Sequence, residues 1–431
     1  MDKIRMRTNA GSIKLRVTTK DGSPCEVWNG AKKIAEMQSG THQTVSIPSN
    51  AEEIIIKGYD IQELYCCGSK LTALDISGLT SLKELYCSNN QLTALDIRGL
   101  TSLRTLYCSR NQLTELNVSG LTSLQELSCS NNQLTTLSVS GLTSLQHLDC
   151  SSNQLTTLNA SGCTSLQWLS CEHNQLISLN ASGLTSLRRL SCFRNQLTAL
   201  DVSGYTSLQW LGCSNNQLTT LNVSGCTSLQ WLGCSNNQLT TLNVSGCTSL
   251  QGLYCEHNQL TALNVNGCTS LQWLDCYDNR LTALNVSVLT SLQHLDCSFN
   301  QLTALDVSGL VNLEDIDCCE NGLTELNVRN CRALQRLNCS FNRLAALDAS
   351  GCTSLQELYC NNNKLSAEVF KKLFEDFPER KEKDGRVLLY TDGDSKYKDF
   401  TQPPELAAAF KAAKAKGWRL YKINNDDLME L

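Results

Sequence analysis

The 431-residue chain has no excess of positive charge: 36 Lys and Arg stand against 41 Asp and Glu, a formal net charge of −5. That argues against a nucleic-acid binder held by a basic surface. No apolar run approaches the ~18 residues that a membrane span requires, so no span is expected. The opening MDKIRMRTNAGSIKLRV has basic residues without the apolar stretch of a secretory leader, and none is expected. Tryptophan is scarce, with six residues, and histidine scarcer, with five. From Ser366 onward there is neither His nor Cys, which argues against a catalytic role for that segment. It also carries 13 of the 36 basic and 13 of the 41 acidic residues, while Leu, Ser, Thr, Asn and Gln dominate the middle. This shift sets a boundary near Ser366.

Cysteine, in contrast, is abundant, at 24 residues. In a short secreted domain this would suggest a disulfide framework. Here fifteen recur every 21 residues, from Cys66 through Cys87, Cys108, Cys129, Cys150, Cys213 and Cys234 to Cys360. Thr206–Cys226 and Thr227–Cys247 are identical letter for letter. Such regularity makes the cysteine a structural position. Each unit reads LxxLxCxxNxLTxLxVSGLTS, as in Leu82, Leu85, Cys87, Asn90, Leu92, Leu95 and Ile97. A fixed period with LxxLxLxxN is the leucine-rich-repeat signature, with cysteine in place of the third leucine.

The fold class that follows is an α/β repeat solenoid, a right-handed array of strand, turn and return segment with a parallel β-sheet on its concave side. Leu85 and Cys87, two apart on a strand, point inward. Cysteine is smaller than leucine and readily buried, which suits a narrow 21-residue coil. Stacked Cβ vectors run parallel, far from disulfide geometry, so the ladder is expected to be reduced. Asn follows three places after the cysteine in fourteen of fifteen units, Asn90 and Asn216 among them, with Ser69 the exception. Its amide can satisfy backbone groups where the strand turns. A partial second cysteine row, Cys163, Cys226, Cys247, Cys268, Cys331 and Cys352, reads as core. NVSG runs such as those at Asn117 and Asn222 belong to the template, so their match to a glycosylation pattern is incidental.

Residues 1–57, with alternating runs such as SIKLRVTT, read as a β-rich N-terminal cap, and 58–365 as the solenoid. Residues 366–431 read as an αβαβ C-terminal cap, whose first helix, AEVFKKLFEDF, sets Val369, Leu373 and Phe377 on one face.

Over residues ~61–365 the 21-residue period with its cysteine resembles the cysteine-ladder leucine-rich repeats of the bacterial internalin J type. The resemblance implies a non-enzymatic cell-surface or secreted adhesin-type protein that binds ligands through its repeats, without a cofactor. The chain departs from the family in showing no leader and no wall-anchoring tail. A cytosolic scaffold or inhibitor with reduced cysteines is the alternative.

Positions fixed by packing barely change between units, so the variable strand positions locate a binding face. One such file reads Glu84, Thr105, Glu126, His147, Trp168, Arg189, Trp210, Trp231, Gly252, Trp273, His294, Asp315, Arg336 and Glu357. Trp168 to Trp273 is five strand steps, or ~24 Å. Gly212 and Gly233 leave room for an indole to lie flat, Gly252 opens a gap, and Tyr254 and Tyr277 adjoin the stripe. Exposed aromatics of this kind suit a protein hot spot or a sugar face. The competing reading is that the indoles stack on one another. His173 and His257 are expected on the same face. No partner subunit is expected.

Toward the C-terminus the face becomes acidic. Asp275, Asp296 and Asp317 share one position in three successive coils, near Asp315. Carboxylates ~5 Å apart repel unless a cation or a basic partner joins them. Calcium is one such cation; a solvated face meeting a basic partner is the commoner use. His147-x-Asp149-x-Ser151 and His294-x-Asp296-x-Ser298 hold a hydrolase inventory in the wrong order, with aspartate central and His and Ser ~13 Å apart. Cys67 and Cys319 are expected to face outward, with no basic cluster to activate them.

Overall fold

The structure, a computed structural model, describes residues 1–380, 384–393, 399–424 and 427–431. The chain forms two compact units, Met1–Gln217 and Leu218–Leu431.

The first unit opens with six strands: β1 (Asp2–Thr8), β2 (Ser12–Thr19), β3 (Cys25–Asn29), β4 (Lys32–Met37), β5 (Gln43–Ser46) and β6 (Ile54–Gly58). Alternation decides their faces: Ile4 and Met6 of β1, and Ile13, Leu15 and Val17 of β2, are buried while their neighbours are not. Two further strands follow, β7 (Ile61–Tyr65) and β8 (Leu71–Asp75). An antiparallel sheet runs β4-β3-β6-β1-β8. β2 pairs antiparallel with both β5 and β7. It thereby covers the open edge of β7, the first rung of the repeat sheet. From β7 the sheet continues in parallel through the three-residue strands that start at Glu84, Thr105, Glu126, His147, Trp168, Arg189 and Trp210. Leucine stands opposite leucine at every step, as at Leu85 and Leu106.

The second unit repeats this plan from Trp231 to Tyr359. Its sheet then gains Gly385–Thr391 and Trp418–Asn424 in parallel. A final strand, Asp427–Glu430, turns back antiparallel; the sequence reading of the cap had stopped one strand short. Two helices pack beside these strands, α1 (Ala367–Asp376) and α2 (Pro404–Ala415). The buried face of α1 is Phe370, Leu373 and Phe374, not the Val369–Leu373–Phe377 line expected, and Val369 is half-buried. The spacing i, i+3, i+4 brings Phe370 and Phe374 against Phe400, and Phe374 against Phe410. Phe377 lies past the helix end, stacked 4.1 Å from the buried Trp418.

Inside each coil the cysteine and its flanking leucines are fully buried, and none of the 24 cysteines is in a disulfide. Burial pushes the thiols of Cys87, Cys108, Cys129, Cys150, Cys171, Cys255, Cys276, Cys297, Cys318 and Cys339 well above their ordinary range. Cys192 and Cys360 are pushed up to about 12.

The asparagine ladder is bound to the backbone on both sides. Asn111 Nδ2 donates to the carbonyls of Cys108 (3.0 Å) and of Cys87 in the preceding coil (3.1 Å). Its Oδ1 accepts from Leu92 N at 3.0 Å. The pattern recurs at Asn90, Asn132, Asn153, Asn195, Asn258, Asn279, Asn300 and Asn342. Each amide closes groups that the turn would otherwise leave buried and unpaired. The expectation placed the asparagine at the turn; its reach into the previous coil appears only in three dimensions.

Candidate functional site

The variable file lies on the outer face of each sheet. In the first unit, Trp168 is 47% exposed, whereas Trp210 is half-buried. The Arg189 guanidinium lies between them, 4.2 Å from the Trp210 ring centre and 5.4 Å from that of Trp168. The two indoles are thus spaced by a cation and do not stack on each other. Trp210 folds over Gly212: a Cβ there would stand 2.3 Å from the indole ring. His147 meets Trp168 edge-on at 6.2 Å. Beside them, Tyr107, Glu126, Ser128, His147, Asp149 and Trp168 line a recess of ≈ 450 Å³. Tyr107 donates its hydroxyl to Glu126, and Tyr86 donates to Glu84 at 2.9 Å. Tyr65, Tyr86 and Tyr107 form a row with ring centres 6.0 and 5.3 Å apart. This row went unread in the sequence, although its signal was there: tyrosine directly before the cysteine in three successive units.

In the second unit, Trp231 and Trp273 are 37% and 39% exposed. Gly252 is not a gap. A Cβ there would lie 2.3 Å from the Trp231 ring, because that indole leans sideways into the space the glycine leaves. The Tyr254 ring lies nearly parallel to that of Trp231, 12° off with centres 6.1 Å apart, and His294 stacks on Trp273 at 3.6 Å.

Next to His294 comes the acidic row. Arg336 reaches Asp315 at 3.2 Å, Asp317 at 3.7 Å and Glu357 at 3.8 Å, so the chain supplies part of the cation that the row calls for. Asn338 Nδ2 donates to the Asp317 carboxylate at 2.8 Å. Among the described residues no three His, Cys, Asp or Glu side chains are grouped to hold a metal ion, the Asp275, Asp296 and Asp317 set considered for calcium included. Among the described residues no Lys or Arg pairs with Asp275, and the one charge that opposes the rise of its carboxyl is that of His257. Burial, then the charges of Glu256 and Asp296, push its carboxyl up to about 7. A carboxyl raised in the fold binds its proton more tightly than in the unfolded chain, so stability drains away as pH rises from about 4 to 7. Asp275→Asn is therefore expected to be more stable than wild type at pH 8, the gap shrinking as pH falls to 4. Urea midpoints across that range measure it, and a constant gap would refute it.

The serine of each hydrolase-like triplet is held by its aspartate. Ser151 and Ser298 donate their hydroxyls to Asp149 and Asp296, both at 2.6 Å. Their histidines sit elsewhere, on tryptophan. His173 and His257 lie not on the strands but in the turn that follows, at φ of 54° and 52°. There His257 joins Tyr277 and Asp278 in a chain, Oη to Nε2 at 2.5 Å and Nδ1 to Oδ2 at 2.6 Å. Cys319 is half-buried, and burial with the Asp317 carboxylate pushes it up to about 12; burial raises Cys67 as well.

That turn position is left-handed in every coil of both units. It holds Asn in several, as Asn89 and Asn236. In the second unit it also holds Phe299 and Phe341, 53% and 44% exposed. A left-handed conformation costs roughly 1–2 kcal/mol in a residue with a Cβ, and Asn tolerates it best.

Twenty-one-residue coils, a parallel strand per coil and a buried Leu-Cys-Asn register settle the architecture. The fold is a leucine-rich-repeat solenoid with a cysteine ladder. The family described as Leucine Rich repeats (2 copies) matches residues 80–122, 122–161, 269–309 and 332–372 of this repeat protein. Its fold is similar to that of YopM from Yersinia enterocolitica WA-314, at 26% identity over 74% of this chain and 70% of that one, with a TM-score of 0.54. The Leptospira interrogans LRR protein LIC12759 is 27% identical over 71% of this chain and 91% of that one, TM-score 0.51. The functional domain of InlJ from Listeria monocytogenes, which includes a cysteine ladder, is 27% identical over 89% and 76%, TM-score 0.45. No curated protein matches the chain. Among the described residues no helix is long and apolar enough to cross a membrane.

Proposed function

We propose that this leucine-rich-repeat protein is a non-catalytic binding protein of the bacterial surface or secreted adhesin type, and that a protein ligand docks on the outer sheet face of its units. Repeat solenoids use that face as an extended binding surface. One observation carries the reading: where packing holds the inward central leucine of each strand nearly constant, this file changes freely and leaves Trp168, Trp231 and Trp273 open to solvent. Exposed indoles are the commonest anchors of protein interfaces. The aspartates are committed to turns and to Arg336, which favours recognition over catalysis.

The test is a screen of the intact protein against host-matrix proteins and glycans. Trp168→Ala and Trp231→Ala/Trp273→Ala would run alongside, with folding checked by circular dichroism. A protein hit that weakens at least tenfold in either folded variant supports the proposal. A glycan as the bound class would replace the protein ligand by a sugar. Undiminished binding in both variants would move the site off this face.

A further inference from the structure

Phe299 and Phe341 occupy a position that suits them poorly. Their backbones are left-handed, with φ of 51° and 53°, where the same position in other coils of the unit holds Asn236 and Asn362. Among the described residues neither ring packs on another aromatic ring, and both are exposed. Burial therefore does not explain them. They stand two coils apart, ~10 Å at the spacing of adjacent strands, with the exposed Glu320 between them. A segment in the polyproline II conformation advances ~3.1 Å per residue with three residues per turn, so ~10 Å matches side chains three residues apart on one face of a bound segment.

The neighbouring sheet face has a strong charge bias. Between Trp231 and Glu357 it presents Glu256, Asp275, Asp296, Asp315, Asp317 and Glu357 against a single arginine, Arg336. Three of those carboxylates share that arginine. Glu256, Asp275 and Asp296 have no ion-pair partner among the described residues, and the buried Oε2 of Glu256 accepts no hydrogen bond. Burying an unpaired carboxylate is costly, and an incoming cation would offset that cost. Arg280 and Arg343 each follow the left-handed turn residue of their coil by two positions, after Asp278 and Phe341.

We propose that the second unit docks a basic segment of a partner protein, its apolar side chains on Phe299 and Phe341 and its lysines or arginines against Glu256, Asp275 and Asp296. The inference rests on the sheet-face reading above and names the partner class. A bound cation would favour the ionised form of Asp275. Its carboxyl is pushed up to about 7 by burial and the charges of Glu256 and Asp296, against the opposing charge of His257, so affinity should rise as pH increases through 7.

The probes are two capped hexapeptides, KLKKLK and ELEELE, each carrying leucines three residues apart and a fluorescent label, titrated into the full reduced protein. KLKKLK is expected to bind at least tenfold more tightly than ELEELE, and more weakly as salt rises. Phe299→Asn/Phe341→Asn is expected to weaken KLKKLK at least fivefold while raising the urea midpoint, because Asn fits the left-handed turn better. A purely structural role predicts the opposite midpoint shift. Equal affinity for the two peptides, an unchanged affinity in the double variant, or a lowered midpoint would each overturn the proposal. If Trp231→Ala/Trp273→Ala loses a protein ligand while both phenylalanine results fail, the sheet-face function stands and only this inference falls. If KLKKLK depends on the phenylalanines and no ligand depends on the tryptophans, the broader reading falls instead.

Discussion

Moving the reduced protein from pH 8 to pH 10 is expected to unfold it. In the first unit, Cys66, Cys87, Cys108, Cys129, Cys150, Cys171 and Cys192 are all held above their ordinary value of 9.0, with burial the largest cause. A group whose folded pKa is raised keeps its stabilising contribution below the unfolded pKa and loses it as pH climbs toward the folded one. One pH unit above 9, each unfolded thiol gains about 1.4 kcal/mol from ionising, a gain the buried thiol cannot share. Seven of them sum to about 10 kcal/mol, comparable with the whole stability of an ordinary domain. The second unit carries an equivalent set, Cys234, Cys255, Cys276, Cys297, Cys318, Cys339 and Cys360. Urea midpoints by circular dichroism, taken from pH 7.5 to 10.5 with reductant present, should collapse between pH 9 and 10. A midpoint at pH 10 equal to that at pH 8 would show that the thiols are not sealed in the core.

Asn111→Leu should cost the first unit about 2–6 kcal/mol. The side chain fits the volume but leaves the buried Leu92 N without a partner and takes one of two amide donors from each of the Cys87 and Cys108 carbonyls, which keep Asn90 and Asn132. The orphaned N–H costs about 1–3 kcal/mol and each lost carbonyl bond about 0.5–1.5 kcal/mol, and leucine cannot recover any of it by hydrogen bonding. The neighbouring Gln112 is exposed, so Gln112→Ala should stay within about 0.5 kcal/mol of wild type. Denaturant unfolding of the two variants side by side gives the comparison. Similar midpoints for both would mean that water, not the asparagine, satisfies those groups.

The candidate site was legible in part. The file from Trp168 to Trp273 could be read because a repeat compares each position with itself, so variation stands out against packing. What the rings do there could not be read. Arg189 sits between Trp168 and Trp210, and Trp231 fills the space above Gly252, because side-chain direction depends on neighbours 21 residues away. The acidic row was foreseen, but not that Arg336, two coils beyond Asp296, would neutralise only its far end. Phe299 and Phe341 escaped notice because a phenylalanine is unremarkable in a sequence until its φ is known.

The sequence by itself determined the coil. A 21-residue period, a small buried cysteine and an asparagine in all but one unit leave one way to bury apolar side chains and pair the backbone groups at the turn, and this constraint is local to one repeat and its copy. Tertiary structure decided which polar and aromatic side chains face solvent in company and which are already spent on partners. Those choices depend on lateral neighbours ~4.8 Å away in space but a full repeat away in the chain. The caps show the same division. Alternation and amphipathic spacing announced strands and helices, whereas the final antiparallel strand Asp427–Glu430, whose residues are largely exposed, is held by its pairing with Tyr421–Asn424 and carries no buried pattern of its own.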